Sequence, residues 1–136
     1  MSERFERGLA MRRQVMGDAH VERAFASATG FSRPLQEFMT EHAWGTVWCR
    51  DGIDLKTRSL ITVAMLAALG RGQELAGHVR GALHNGASAD EVREVLLHAA
   101  VYVGIPLAAE AVRIAEAVVR ERPDASPPLD SPSPSR

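Results

Sequence analysis

Glu74 and His78 stand four residues apart in "RGQELAGHVRGALHNG", residues 71–86, a stretch that reads as one helix. That spacing sets a carboxylate and an imidazole one turn apart on the same side. An imidazole titrates near neutral pH and can give or take a proton, so the pair is a candidate for acid–base work. The same placement suits an ordinary surface histidine satisfied by its neighbours, and spacing alone leaves both open. Arg58, Ser59 and Thr62 form the polar stripe of the otherwise apolar "LKTRSLITVAMLAAL". An unpaired buried polar group costs about 1–3 kcal/mol, so this stripe must meet a neighbouring helix, water or a ligand. Trp44 and Trp48, also four apart, fit core or interface anchors, and Arg50 just after them could reach a carboxylate.

Glu94 and His98 repeat the Glu-x-x-x-His spacing and raise a metal question. Carboxylate-bridged metal sites in bundles use Glu-x-x-His with further glutamates, and zinc proteases use His-Glu-x-x-His. Neither pattern is present, so no metal site is expected; His98, between Leu97 and Val101, is expected to pack at a helix or subunit interface. Cys49 is the only cysteine, which excludes an intramolecular disulfide, a CxxC redox pair and a thiolate zinc site, and fits a reducing compartment. All but one of the 16 basic residues are arginine, so a single arginine says little by itself.

The elements that must position these residues are helices, since no stretch alternates in the manner of a strand. The first runs from about Glu3 to Met16 and stops at Gly17, and a short second one spans about Ala19 to Ala28. Ser32 can cap a third, with Pro34 in its first turn, that continues through "LQEFMTEHAWGTVW". Asp54 caps the fourth, which ends at Gly70; the fifth starts near Gln73 and ends at Asn85 and Gly86. Ser88 and Glu91 form a capping box for the sixth, Gly104 ends it, and Pro106 opens the last. The fourth helix is apolar on nearly every side, as in a bundle interior or an oligomer core. On the fifth, Leu75, Val79, Ala82, Leu83 and Gly86 should face inward, with Gln73, Gly77, Arg80 and His84 opposite.

The chain has 136 residues, 46% hydrophobic and 24% charged, which suits one globular domain with a core of its own. That domain is expected over 1–122, followed by a disordered Pro- and Ser-rich tail over 123–136. A net charge of −1 with mixed signs offers no basic stripe for nucleic acid. The N-terminus has no signal-peptide core and the longest apolar run, 60–69, is too short to span a membrane, so a cytoplasmic protein without membrane or nucleic-acid partners is expected.

From "HAWGTVWCRDGIDLKTRSL" through "ELAGHVRGALHNG" to "YVGIPLAAEA", the chain resembles the γ-carboxymuconolactone decarboxylase family. The features that carry the likeness are AWGxxW, Arg-Ser before the apolar helix, ELxxH with a Gly eight residues on, and YxGxP; Leu107 and Ala109 depart from it. A broader likeness extends to the alkylhydroperoxidases, whose CxxC is replaced here by Arg71 and Glu74. The resemblance implies an all-α, helical-hairpin subunit in a ring-like homo-oligomer, hexamer or trimer. It also implies a cofactor-free decarboxylation of a small dicarboxylate lactone in protocatechuate catabolism. On that basis His78 donates the proton or holds the oxyanion and Glu74 orients it. Arg58 or Arg71 clamps the retained carboxylate, with Arg50 and Ser59 nearby, and Trp44 and Trp48 exclude water. Two rivals stand beside it: a non-catalytic helical ligand-binding or oligomerisation module, and a metal-dependent bundle enzyme using Glu74, His78, Glu94 and His98.

Overall fold

Local capping chemistry sets the helix boundaries in the computed structural model, which describes residues 1–122. Ser2 accepts a hydrogen bond from the Phe5 amide and starts α1 (Glu3–Met16), which stops at Gly17 with φ of 92°. Helix α2 (Asp18–Ala26) follows directly. Asp54 accepts from the Thr57 amide at 2.7 Å to start α4 (Leu55–Leu69), and left-handed Gly70 ends it. Then come α5 (Gly72–His84), α6 (Ala89–Val103) with the expected Ser88–Glu91 capping box, and α7 (Ile105–Arg120) after Gly104. There is no strand among the described residues. The disordered tail expected over 123–136 lies outside them.

The third expected helix differs in two ways. Ser32 is already in the right-handed helical region, not the extended geometry an N-cap needs, and its hydroxyl accepts from the Thr29 amide instead. Helix α3 (Arg33–Phe38) also widens without a break into a π-helix, π1 (Met39–Trp48). A π turn closes i→i+5 bonds, so residues four apart come nearer to register than in an α-helix. Trp44 and Trp48 consequently stack, centroids 4.6 Å apart and planes at 21°.

Two apolar clusters result. The larger joins α4 to α7 through Val63, Ala67, Leu75, Val79, Leu83, Val92, Leu96, Ala111 and Val118. The smaller joins α1 to π1 through Val15, Trp44 and Trp48, with Met11, Met16, Met39 and Leu55 around them. Between α1 and π1 the backbones themselves meet: a side chain on Gly8 would strike the Thr40 carbonyl, and one on Gly45 the Arg4 carbonyl. On α4 the buried face is Ser59, Val63 and Ala67, whereas Ile61, Met65 and Leu69 are exposed. One subunit therefore covers only part of this apolar helix.

Candidate active site

Helix α5 lies between the two clusters and shows a different face to each. Leu75, Val79, Ala82 and Leu83 enter the larger core as expected, and His84 is exposed as expected. Gly86 is exposed in the following turn, because the chain has already left the helix there. Gly77 does not point to solvent: a Cβ there would lie 3.3 Å from Met16 Cε and 4.0 Å from His20 Cε1. The small residue lets α1 and α2 close over α5 next to His78.

His78 lies alongside the tryptophan stack. Its centroid is 6.3 Å from both indoles, its plane 5° from that of Trp44 and 25° from that of Trp48. Nδ1 is buried and has no hydrogen-bond partner. Loss of water, followed by the positive charges of His20 and Arg12, pushes the pKa down to about 4, with Glu74 pulling weakly the other way. The ring is thus neutral at pH 7, one nitrogen donating and the other accepting. This corrects the expectation of an unperturbed imidazole, because a boundary position on α5 alone becomes a covered one once α1, α2 and π1 are in place.

Other expected residues are dispersed. The Glu74 carboxylate is exposed and accepts from Arg71 Nη2 at 2.9 Å, which holds its pKa below the usual range; no hydrogen bond joins it to His78. Arg71 lines a shallow surface hollow with Leu66, Leu75, Leu107 and Glu110, on the α7 side of α5. Arg50 is exposed, and its carbonyl accepts from Arg58 Nη2 at 3.3 Å. Arg58 Nε and Ser59 Oγ are buried without partners, whereas Thr62 bonds back to the Arg58 carbonyl of its own helix at 2.9 Å. His98 is exposed beside Tyr102, 5.3 Å between ring centroids. Among the described residues no three His, Cys, Asp or Glu side chains are grouped to hold a metal ion.

The sequence pattern of the carboxymuconolactone decarboxylase family matches residues 33–117. The chain belongs to that family. It is 40% identical over 119 residues to 4-carboxymuconolactone decarboxylase of Acinetobacter baylyi, covering 88% of this chain and 89% of that protein. It is 44% identical over 120 residues to nitrosuccinic acid decarboxylase of Metarhizium robertsii, covering 88% and 84% respectively.

In this member of the family, three residues near His78 escaped sequence reasoning. Arg12 is 4% exposed and donates to Thr40 Oγ1 at 3.1 Å, while Thr40 donates to the Gln36 carbonyl at 2.7 Å. His20, half-buried, is held below its ordinary pKa by burial and then by the charges of Arg12, Arg23 and Arg80. A signal for Arg12 existed: it continues the Phe5, Gly8, Arg12, Val15 spacing of the buried face of α1.

Proposed function

We propose that the protein decarboxylates γ-carboxymuconolactone to 3-oxoadipate enol-lactone without a cofactor, as a cytoplasmic enzyme of protocatechuate catabolism. The observation that carries this reading is the water-poor, neutral His78 against the Trp44–Trp48 stack. The bond from the ring carbon to the departing carboxylate breaks and carbon dioxide leaves. Its electron pair passes through the ring double bond onto the lactone carbonyl, giving a dienolate that takes one proton on carbon. The substrate is its own electron sink. The protein's task is to strip water from the departing carboxylate and deliver the proton.

His78 is the carrier of that proton. Burial does most to keep the ring neutral, and an anionic substrate entering beside Arg12, His20 and His78 offsets the positive charges that add to it. The ring then takes up a proton from water on binding and passes it to the dienolate, and Glu74 adds a favourable charge. Arg58 Nε and Ser59 Oγ are buried polar atoms that α4 leaves unpartnered. Arg71, committed to Glu74, is left out of the site.

A nitro-substituted succinate is the second substrate class, favoured by the likeness to the Metarhizium relative. Loss of carbon dioxide beside a nitro group leaves charge on its oxygens, the same demand on the site. The ring-like homo-oligomer belongs to this proposal too. The exposed Ile61, Met65 and Leu69 of α4, and Leu97, Val101 and Tyr102 of α6, form apolar faces that subunits of one kind can cover.

The test is carbon dioxide release when purified protein meets each acid in turn. Release from the lactone supports the assignment; release from the nitro acid alone moves it to the second class; none from either returns the chain to the non-catalytic reading.

A further inference from the structure

Two adjacent arginines on α1 have opposite surroundings. Arg13 reaches solvent and has two carboxylates in range, Asp18 at 3.5 Å and Glu22 at 3.7 Å. Arg12 is buried and, among the described residues, has no carboxylate at all. Its company is the Thr40 hydroxyl and the Phe25 ring, whose centroid lies 5.8 Å from the guanidinium carbon. A guanidinium cannot shed its proton at any ordinary pH, so burial without a counter-charge leaves its field uncompensated. That field reaches both His20 and His78. The other guanidinium nitrogens make no hydrogen bond, so the buried head group keeps donors to spare.

We propose that Arg12 is the guanidinium that binds the carboxylate the substrate keeps, that Thr40 is its positioning residue, and that the anion completes a charge the fold leaves unpaired. This rests on the decarboxylase reading above and moves the clamp from α4 and α5 to α1. Arg12 serves the retained carboxylate and not the departing one for an energetic reason. A guanidinium on the departing group would stabilise a charge that disappears in the transition state and so oppose the reaction, whereas one on the retained group stabilises both states alike. Its removal must therefore act on KM more than on kcat.

The experiment compares wild type, Arg12→Gln, Arg12→Lys and Arg13→Gln. It measures succinate affinity by calorimetry, KM and kcat for the lactone, and folding by circular dichroism. Arg12→Gln should weaken succinate and raise KM by about 100-fold each, with kcat within about 3-fold. Arg12→Lys keeps the charge but loses the fork and should fall between, at about 10-fold. Arg13→Gln should match wild type in all three. Succinate affinity and KM unchanged in Arg12→Gln overturn the proposal, as does an unchanged Arg12→Lys should the glutamine variant not fold. A wild type that binds succinate through Arg12 but releases no carbon dioxide from the lactone leaves this anion site standing and sinks the decarboxylase assignment instead.

Discussion

The rings of Trp44 and His78 lie within 5° of parallel, 6.3 Å between centroids, although one comes from a π-helix and the other from an α-helix. The indole takes the place of water on that side of the imidazole. Trp44→Ala should let water in and return the His78 pKa from about 4 toward its ordinary value, read by NMR titration of the imidazole protons. No upward movement would mean that the tryptophan wall is not what keeps the ring neutral.

Stability should depend on pH through the same ring. The unfolded chain protonates His78 near pH 6.5, while the folded protein does so only near 4. Above pH 6.5 both states are neutral and the residue contributes nothing to the pH dependence. As pH falls from 6.5 to 4 the unfolded state gains a proton that the folded state refuses, so stability drops, by up to about 3 kcal/mol. Urea midpoints across this window should fall less steeply in His78→Asn than in wild type.

Turnover should fall at least about 100-fold in His78→Ala, the lower end for loss of an acid–base group. His84→Ala, on the exposed side of the same helix, should retain near-wild-type carbon dioxide release. Comparable rates in the two variants would remove His78 from the chemistry.

Gly8 and Gly45 allow α1 and π1 to touch through backbone atoms. Gly8→Ala should cost about 1–3 kcal/mol, because a methyl group has to displace a carbonyl and not a flexible side chain. Denaturant titration checks this, and a loss below about 0.5 kcal/mol would show that the crossing gives way easily.

A chelator should leave turnover unchanged. The metal rival needs Glu74, His78, Glu94 and His98 together, but Glu74 bonds Arg71, Glu94 bonds Arg93 and His98 lies tilted against Tyr102. Activity lost with chelator and restored by zinc or manganese would revive it.

Helix ends were legible because each depends on a few neighbouring residues: Asp54 with Thr57, Ser88 with Glu91, and the glycines at 17, 70 and 104. The widening at Met39–Trp48 was not, since α- and π-helices place apolar residues at overlapping intervals. His78 was singled out as a candidate by its spacing together with the family resemblance, but its charge state depends on Arg12, His20 and Trp44, which reach it from three other elements. Arg12 itself was hidden by abundance: in a chain whose basic residues are nearly all arginine, the one turned inward does not stand out.

Helix α5 presents Gly77 and Gly81 to α1 and α2, so it contributes the imidazole but little bulk around it. The groups that face the imidazole, Arg12, His20, Trp44 and Trp48, all precede α4, whereas the larger apolar cluster is built by α4 to α7. If His78 is the centre of the site, substitutions in the first 48 residues should alter substrate choice while leaving the α4–α7 cluster intact. Swapping that segment between relatives of different specificity is the natural way to transplant a preference.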